Sequence, residues 1–391
     1  MADVDDGQLG LKRFALALSG GGIRAAVFHL GVLRLLADQN KLEAVTHIST
    51  VSGGSLVTAA ILTANGMRWP NSDQYQRHVY PSLRQTLTTR DLFSFKALGW
   101  RGLCQHGLRL LNRRAEILTA LLEKQWGIAG KLGDLPESPI WWINATCIET
   151  GKNWRFSKRE MGDWRFGRHY EPHFSIAQAV ASSAAVPYAI GALRFDLPRA
   201  GWYVTDPATR KPIQSAKPAL EAVHLWDGGA YENLGIEPLF KMDRGLIDCD
   251  FLICSDASGP LTISSAADAW RGILKGGLAT PRLFSIASDQ IRALRSRMLV
   301  AALTRGEVQG ALLRMGNSNR NFDLKVGRVG DPSDYDSFSS EDDVETVASY
   351  PTDLNAIKPE DFDRITRHAY EMAERTLTTY HPKHFAASSA R

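Results

Sequence analysis

Three short stretches of the chain combine residue types that can do nucleophilic chemistry. Ser52 stands in Thr50-Val51-Ser52-Gly53-Gly54, between an apolar run and a helix-forming stretch. That is the setting of a nucleophile elbow, a strained strand-to-helix turn that exposes a serine hydroxyl. Thr50 takes the place of the usual first glycine, whereas Gly54 keeps the second. A serine in such a turn is more often structural than catalytic, so this motif alone leaves both roles open. The second stretch is Ser19-Gly20-Gly21-Gly22-Ile23-Arg24, again where a strand meets a helix. Peptide N–H groups converging at a helix N-terminus favour negative charge, so Gly20, Gly21 and Gly22 can serve as an oxyanion hole. Gly20-x-Gly22-x-x-Ala25 also satisfies a loose dinucleotide fingerprint, but Ser52 occupies the strand end where that fold wants an acidic residue for the ribose. No Gly-Lys-Ser or Gly-Lys-Thr follows, which excludes a P-loop. The third stretch, Trp226-Asp227-Gly228-Gly229, puts a carboxylate at a strand end in a turn open to close approach. Taken singly, an aspartate before glycine is as common in plain turns.

These residues need rigid elements to hold them. The apolar run Phe14 to Ser19 reads as a buried strand, and Ile23, Ala26, Val27, Leu30, Leu33 and Ala37 recur at helical spacing after it. Val45 to Val51 reads as a second strand and Ser55 to Asn65 as a small-residue helix that Gly66 ends. Further strands are expected at Trp141 to Cys147, Trp154 to Ser157, Ala222 to Trp226 and Asp250 to Cys254, with a helix from Ile176 to Ala185. Strands alternating with helices imply an α/β fold with a mostly parallel central sheet covered on both faces. Residues 1–10 read as a tail and 11–391 as one domain, with a helical insertion at about 67–133 and a mainly helical part from about 261. The acidic, serine-rich stretch Asp331 to Glu345 reads as a loop.

Together the three motifs resemble the patatin-like phospholipase family. The resemblance extends through Asn144-Ala-Thr with Thr150-Gly151, through Ile176 to Pro187, through Asn233, and weakly through Tyr350-Pro-Thr-Asp-Leu354. It implies a three-layer patatin-like fold and a Ser-Asp dyad. Ser52 would attack an acyl ester, Asp227 would take its proton, the Gly20 to Gly22 loop would hold the oxyanion, and an acyl-enzyme would be hydrolysed by water. By the same resemblance Arg24 would meet an anionic headgroup, against the alternative of an ordinary salt bridge, and Gly53 would contribute to substrate binding. Phospholipids, lysophospholipids and related acyl lipids are the implied substrates, without metal or other cofactor. Transfer of the acyl group to an alcohol, and a non-catalytic nucleotide-binding α/β protein, remain as alternatives at this stage.

Composition agrees with a globular enzyme. Apolar residues make up 44% and charged residues 23%, so a large core is available and disorder is not expected. The net charge of +4 over 391 residues is too dilute for a nucleic-acid partner. Cys104, Cys147, Cys249 and Cys254 are scattered and read as buried thiols. The acidic N-terminus lacks the pattern of a secretory signal, and no apolar run is long enough to span a bilayer, so the expected location is cytoplasmic with at most peripheral membrane contact. Two basic-apolar stretches are candidates for that contact: Phe93, Phe95, Lys96, Trp100, Arg101, Leu103, Arg109, Arg113 and Arg114, and Arg292, Leu294, Arg295 and Met298. Both fit plain packing helices too. Histidines pose the internal challenge: His368, His381 and His384 fall where a triad would place its base, while His47 and His224 lie in expected strands near the site.

Overall fold

The computed structural model describes residues 13–92, 114–206, 209, 211–261, 279–328 and 330–385. Among the described residues the backbone runs through fourteen strands: β1 Phe14–Leu18, β2 Val45–Thr50, β3 Ile140–Cys147, β4 Lys152–Phe156, β5 Glu160–Asp163, β6 Gly167–Tyr170, β7 Leu193–Asp196, β8 Trp202–Thr205, β9 Pro212–Ala216, β10 Ala222–Asp227, β11 Phe240–Lys241, β12 Gly245–Leu246, β13 Phe251–Asp256 and β14 Gly310–Arg314. Twelve of them form one sheet, ordered β14-β13-β1-β2-β3-β4-β5-β6-β8-β9, with β10 joined to β3 and β7 to β10. The five strands from β14 to β3 are parallel.

β1 explains why the parallel centre is buried on both sides. All five of its residues are fully buried. Phe14, Leu16 and Leu18 enter the larger apolar core, while Ala15 and Ala17 face a second core with Leu252, Cys254, Leu299 and Ala302. On the first side lie α1 (Gly22–Asp38), α2 (Gly53–Ala64) and the helix Pro359–Tyr380, and on the second lies the helix Ala279–Thr304. The result is three layers. Cys147, Cys249 and Cys254 are free and buried.

Beyond β3 the sheet changes character. β4 and β10 both run antiparallel to β3, and the chain continues as an antiparallel meander. This reversal matters for the site. Thr50 at the end of β2 pairs with Ile143, and Asp227 at the end of β10 pairs with Ala145, so the two strand ends meet although the strands run opposite ways.

Several expectations need correction. β14 interrupts the part taken as mainly helical from about 261 and extends the parallel array; its five residues are too short to outweigh the helical periodicity on either side. The Asp331 to Glu345 stretch is no plain loop: it holds a 3-10 turn at Pro332–Tyr335 capped by Asp331 and the start of the helix Glu341–Ser349 capped by Ser340, each with an aspartate reaching back to the cap in a capping box. Within the helical insertion, helices occupy Tyr80–Thr89 and Arg114–Trp126, with Ala115, Leu118 and Leu122 buried. The tail at 1–10, Cys104 and the aromatic-basic residues from Phe93 to Arg113 lie outside the described residues.

α1 and the helix Pro359–Tyr380 cross at Gly31, where an added Cβ would stand 2.3 Å from the Thr366 carbonyl and 2.7 Å from the Ala369 methyl. Gly31→Ala is therefore expected to destabilise the fold by about 1–3 kcal/mol despite alanine's better helix propensity. Denaturant titration checks this; an unchanged or raised midpoint would mean that the helices do not cross at this point.

Candidate active site

Ser52 sits between β2 and α2 with φ 49° and ψ −115°, a conformation that costs a non-glycine residue of order 1–3 kcal/mol. Surrounding contacts enforce it. Its N–H donates to the carbonyl and hydroxyl of Ser183 at 3.2 and 3.0 Å. The Ser183 hydroxyl meets Ser55 at 2.8 Å, Ser55 meets Thr50 at 2.8 Å, and the Trp141 indole N–H donates to Thr50 at 2.9 Å. Thr50, the departure from the glycine of the usual motif, is thus a link in a buried hydroxyl chain that ends on the serine's own backbone. The two following glycines are obligatory for another reason. A Cβ on Gly53 would lie 2.3 Å from the Gly22 carbonyl, and one on Gly54 the same distance from the Leu18 carbonyl.

The glycine loop leaves β1 and enters α1. Gly21 and Gly22 have φ of +143° and +61°, and a Cβ on Gly22 would stand 2.1 Å from the Thr352 carbonyl. The weak sequence echo at Tyr350 to Leu354 therefore packs directly on the loop, and the Ile23 N–H donates to the Asp353 carbonyl at 2.9 Å. One expectation changes: Gly20 is not available as an oxyanion donor, because its N–H donates to the Asn233 carbonyl at 3.0 Å. Its role is space, since a side chain there would meet Asn233 Oδ1 at 2.3 Å and Ser52 Cβ at 3.0 Å. The N–H groups of Gly21, Gly22 and Gly53 make no hydrogen bond to a described residue. Those three, at the starts of α1 and α2, are the donors the site offers.

Asp227 is 5% exposed. Its Oδ1 accepts the Gly229 N–H at 2.7 Å, while Oδ2 has no aligned partner. Burial raises its pKa from 3.8 to about 6, with the Gly229 N–H and the adjacent Ser52 hydroxyl pulling the other way. Its backbone is clamped on both sides: the N–H donates to the Ala185 carbonyl at 2.9 Å, and its carbonyl accepts the Thr146 hydroxyl at 2.8 Å. Asn144 ties β3 to β2 through Ser49 Oγ and the Thr50 carbonyl, both at 2.9 Å, and is itself held by Asn153. The polar motif residues on Asp227's partner strand thus position Ser52 and Asp227 without entering the cleft between them.

Arg24 fits neither of its sequence-level readings in simple form. It is buried, and its guanidinium donates to the carbonyls of Ala348 and Tyr350 at 2.8 and 2.9 Å and to that of Ala257 at 3.4 Å, leaving Nε without a partner. Desolvation lowers its pKa to about 10, opposed by Asp256. It lines the cleft but serves first as a clamp between α1 and the C-terminal segment.

No histidine lines the cleft among the described residues. His368 bonds the Met315 carbonyl, His381 the Gly310 carbonyl, His224 bonds Glu149, and His47 stacks on Trp142. His29, which sequence reasoning missed because it falls inside an ordinary helical stripe, is fully buried behind the glycine loop. Its Nε2 donates to the Ser19 carbonyl at 2.9 Å, and its Nδ1 accepts the Ser255 hydroxyl at 2.8 Å. Burial pushes its pKa down to about 4, so it stays neutral and props the loop.

These groups open onto a cleft of about 340 Å³ that contains Ser52, Asp227, the glycine loop, Asn233, Pro187 and Phe284. Because Asp227's folded pKa exceeds its unfolded value, its protonated form stabilises the fold fully below about pH 4, and that stability is lost as pH rises through about 6. Two units at about 1.4 kcal/mol each make the ionised form cost about 3 kcal/mol. Asp227→Asn should therefore melt higher than wild type near pH 8 and gain much less near pH 4, and melting curves at both pH values decide it; an equal gain at both would assign the effect to packing.

Comparison with known proteins supplies independent findings. The chain resembles solved structures of human GIVD cytosolic phospholipase A2, at 14% identity and TM-score 0.56 over 96% of this chain and 60% of that one. It also resembles the same enzyme in complex with methyl gamma-linolenyl fluorophosphonate, at 15% identity and TM-score 0.51 over 96% and 58%. At these identities the likeness concerns the fold, and this chain spans about 60% of the length of the first. No curated protein sequence matches it. The model of the family described as patatin-like phospholipase matches residues 16–240, more than half of the chain and all three motifs, and the protein belongs to that family.

Proposed function

We propose that the protein is a serine acyl hydrolase that cleaves fatty-acyl esters of phospholipids, lysophospholipids or related lipids through an acyl-Ser52 intermediate. The observation that carries this reading is the pairing of a serine in a strained elbow with a buried carboxylate whose Oδ2 is unengaged and whose pKa is raised to about 6. An aspartate of ordinary pKa is a feeble base at neutral pH. Raised to about 6, it is still mostly ionised at pH 7 and two units more basic.

The chemistry follows from the groups in place. Asp227 Oδ2 takes the proton as Ser52 Oγ attacks the ester carbonyl, and the carbonyl oxygen becomes an oxyanion facing the N–H groups of Gly21, Gly22 and Gly53. Collapse expels the alcohol, which receives the proton from Asp227. Water then attacks the acyl-serine with Asp227 accepting its proton, and as the acyl–Oγ bond breaks Asp227 returns that proton to Ser52 Oγ and the fatty acid leaves. Pro187, Phe284 and Leu261 give the cleft apolar wall for an acyl chain. Family membership and the fold of a phospholipase A2 support the substrate class. A nucleotide-binding role loses support, because the glycine loop lies against Ser52 instead of a free strand end.

Fatty acid release from lipid micelles and from a soluble short-chain ester tests the proposal. Ser52→Ala is expected to remove essentially all turnover, and Asp227→Asn to lower kcat by about 10²–10⁴-fold. In wild type, kcat/KM should climb with pH and level off above about 6, following ionisation of Asp227. A serine-reactive alkyl fluorophosphonate should label wild type and not Ser52→Ala. Labelling elsewhere, or full activity in Asp227→Asn, would sink the dyad.

A further inference from the structure

The helix Ala279–Thr304 sends Leu299 and Ala302 into the second apolar core, but the turns before them send charge inward and apolar side chains outward. On its inner side Arg292 donates to the buried carboxylate of Asp256 at 3.2 Å and to Asp289 at 2.6 Å, and Arg295 pairs with Glu237 at 3.0 Å. Phe284 and Ser288, on the same inner side, line the cleft beside Ser52. On the outer side Leu283, Ile286 and Leu294 are exposed to 66%, 39% and 53%. Ala287, Gln290 and Arg297 complete the exposed stripe, which falls at helical spacing and contains no acidic residue. Arg292, Leu294, Arg295 and Met298 read in sequence as one basic-apolar cluster. The structure separates them, sending Arg292 and Arg295 inward to carboxylates and Leu294 outward to solvent.

A surface helix ordinarily shows polar residues to water and apolar ones to the core. An exposed apolar stripe marks a surface with a partner. This one reaches the rim of the cleft, where Phe284 meets Tyr188 edge-on with ring centroids 6.2 Å apart. Tyr188 is itself exposed and held at φ 65°.

We propose that the outer stripe Leu283–Ile286–Leu294 is the surface by which the protein lies on a lipid membrane, with Arg297 beside anionic headgroups. The proposal rests on the acyl-lipid reading of the cleft, because long-chain esters reside in bilayers and the helix wall separates the two. Charge supports lipid over a basic protein partner: the outer stripe carries Arg297, which makes no hydrogen bond or ion pair with a described residue, and no carboxylate, while Arg292 and Arg295 are spent on inward carboxylates. Apolar side chains flanked by arginine on one helix are the composition of an interfacial helix.

Co-sedimentation with vesicles of phosphatidylcholine and phosphatidylglycerol tests it on the full chain, in both wild type and the Ser52→Ala background. Leu283→Ser/Ile286→Ser/Leu294→Ser should weaken binding by roughly a hundredfold. Its activity on a soluble short-chain ester and its melting temperature should stay near wild type, because the three side chains are exposed. Arg297→Glu should weaken binding a few-fold, only on vesicles containing phosphatidylglycerol, and added salt should erase the difference. Should the triple variant unfold, Leu283→Ser alone and Arg297→Glu carry the test. Equal binding by wild type and the variants, or no vesicle binding by wild type, overturns the membrane surface whatever the activity. Vesicle binding that depends on the stripe in a protein releasing no fatty acid would instead overturn the hydrolase reading and leave the surface standing.

Discussion

Everything at the candidate site depends on three strand-end turns approaching at backbone distance. The glycine loop after β1, the Ser52 elbow after β2 and the Asp227 turn after β10 pack where a Cβ finds little room: Gly53 against the Gly22 carbonyl, Gly20 against Ser52 Cβ, and Gly228 against Val51 of the elbow and the Asn144 carbonyl of β3. Glycine is tolerated there at an entropic cost in the unfolded chain, and in return peptide N–H groups come within reach of the serine. Parallel pairing of β1 with β2 sets the first approach, and the antiparallel insertion of β10 against β3 sets the second.

Such an approach stores strain and desolvation, and the surrounding structure must hold both. Ser52 would leave its positive-φ conformation if its N–H were not anchored on Ser183, and Ser183 is in turn placed by the hydroxyl chain from Trp141. Asp227 is buried with one oxygen unengaged, an arrangement that lowers stability and creates basicity by the same physical cause. His29 and Arg24 work in the opposite sense. Each is a buried polar group that donates to backbone carbonyls, so each stiffens the loop without adding a reactive group to the cleft.

The C-terminal third participates more than its lack of motifs suggests. Thr352 and Asp353 press on the glycine loop, Ala348 and Tyr350 receive Arg24, and the helix Pro359–Tyr380 covers α1. The helix Ala279–Thr304 walls the cleft through Phe284 and neutralises the buried Asp256 at the end of β13. A family match that ends at residue 240 therefore stops short of residues that shape the same site.

Local sequence determined those features whose cause is local. The apolar run Phe14 to Ser19, the two glycines that follow Ser52 and the Asp227-Gly228-Gly229 turn each specify a strand ending in a sharp turn, because a side chain does not fit at those glycines, and the three motifs together identified the family. Tertiary structure decided whatever depends on which surfaces meet. It placed Asp227 beside Ser52 through a reversed strand, withdrew Gly20 from the oxyanion donors by giving its N–H to Asn233, raised Asp227's pKa by burial, and enlisted His29 behind the loop. β14 escaped notice because five residues carry too little periodicity, and the outward leucines of Ala279–Thr304 escaped because helical spacing alone does not reveal which face the rest of the chain will cover.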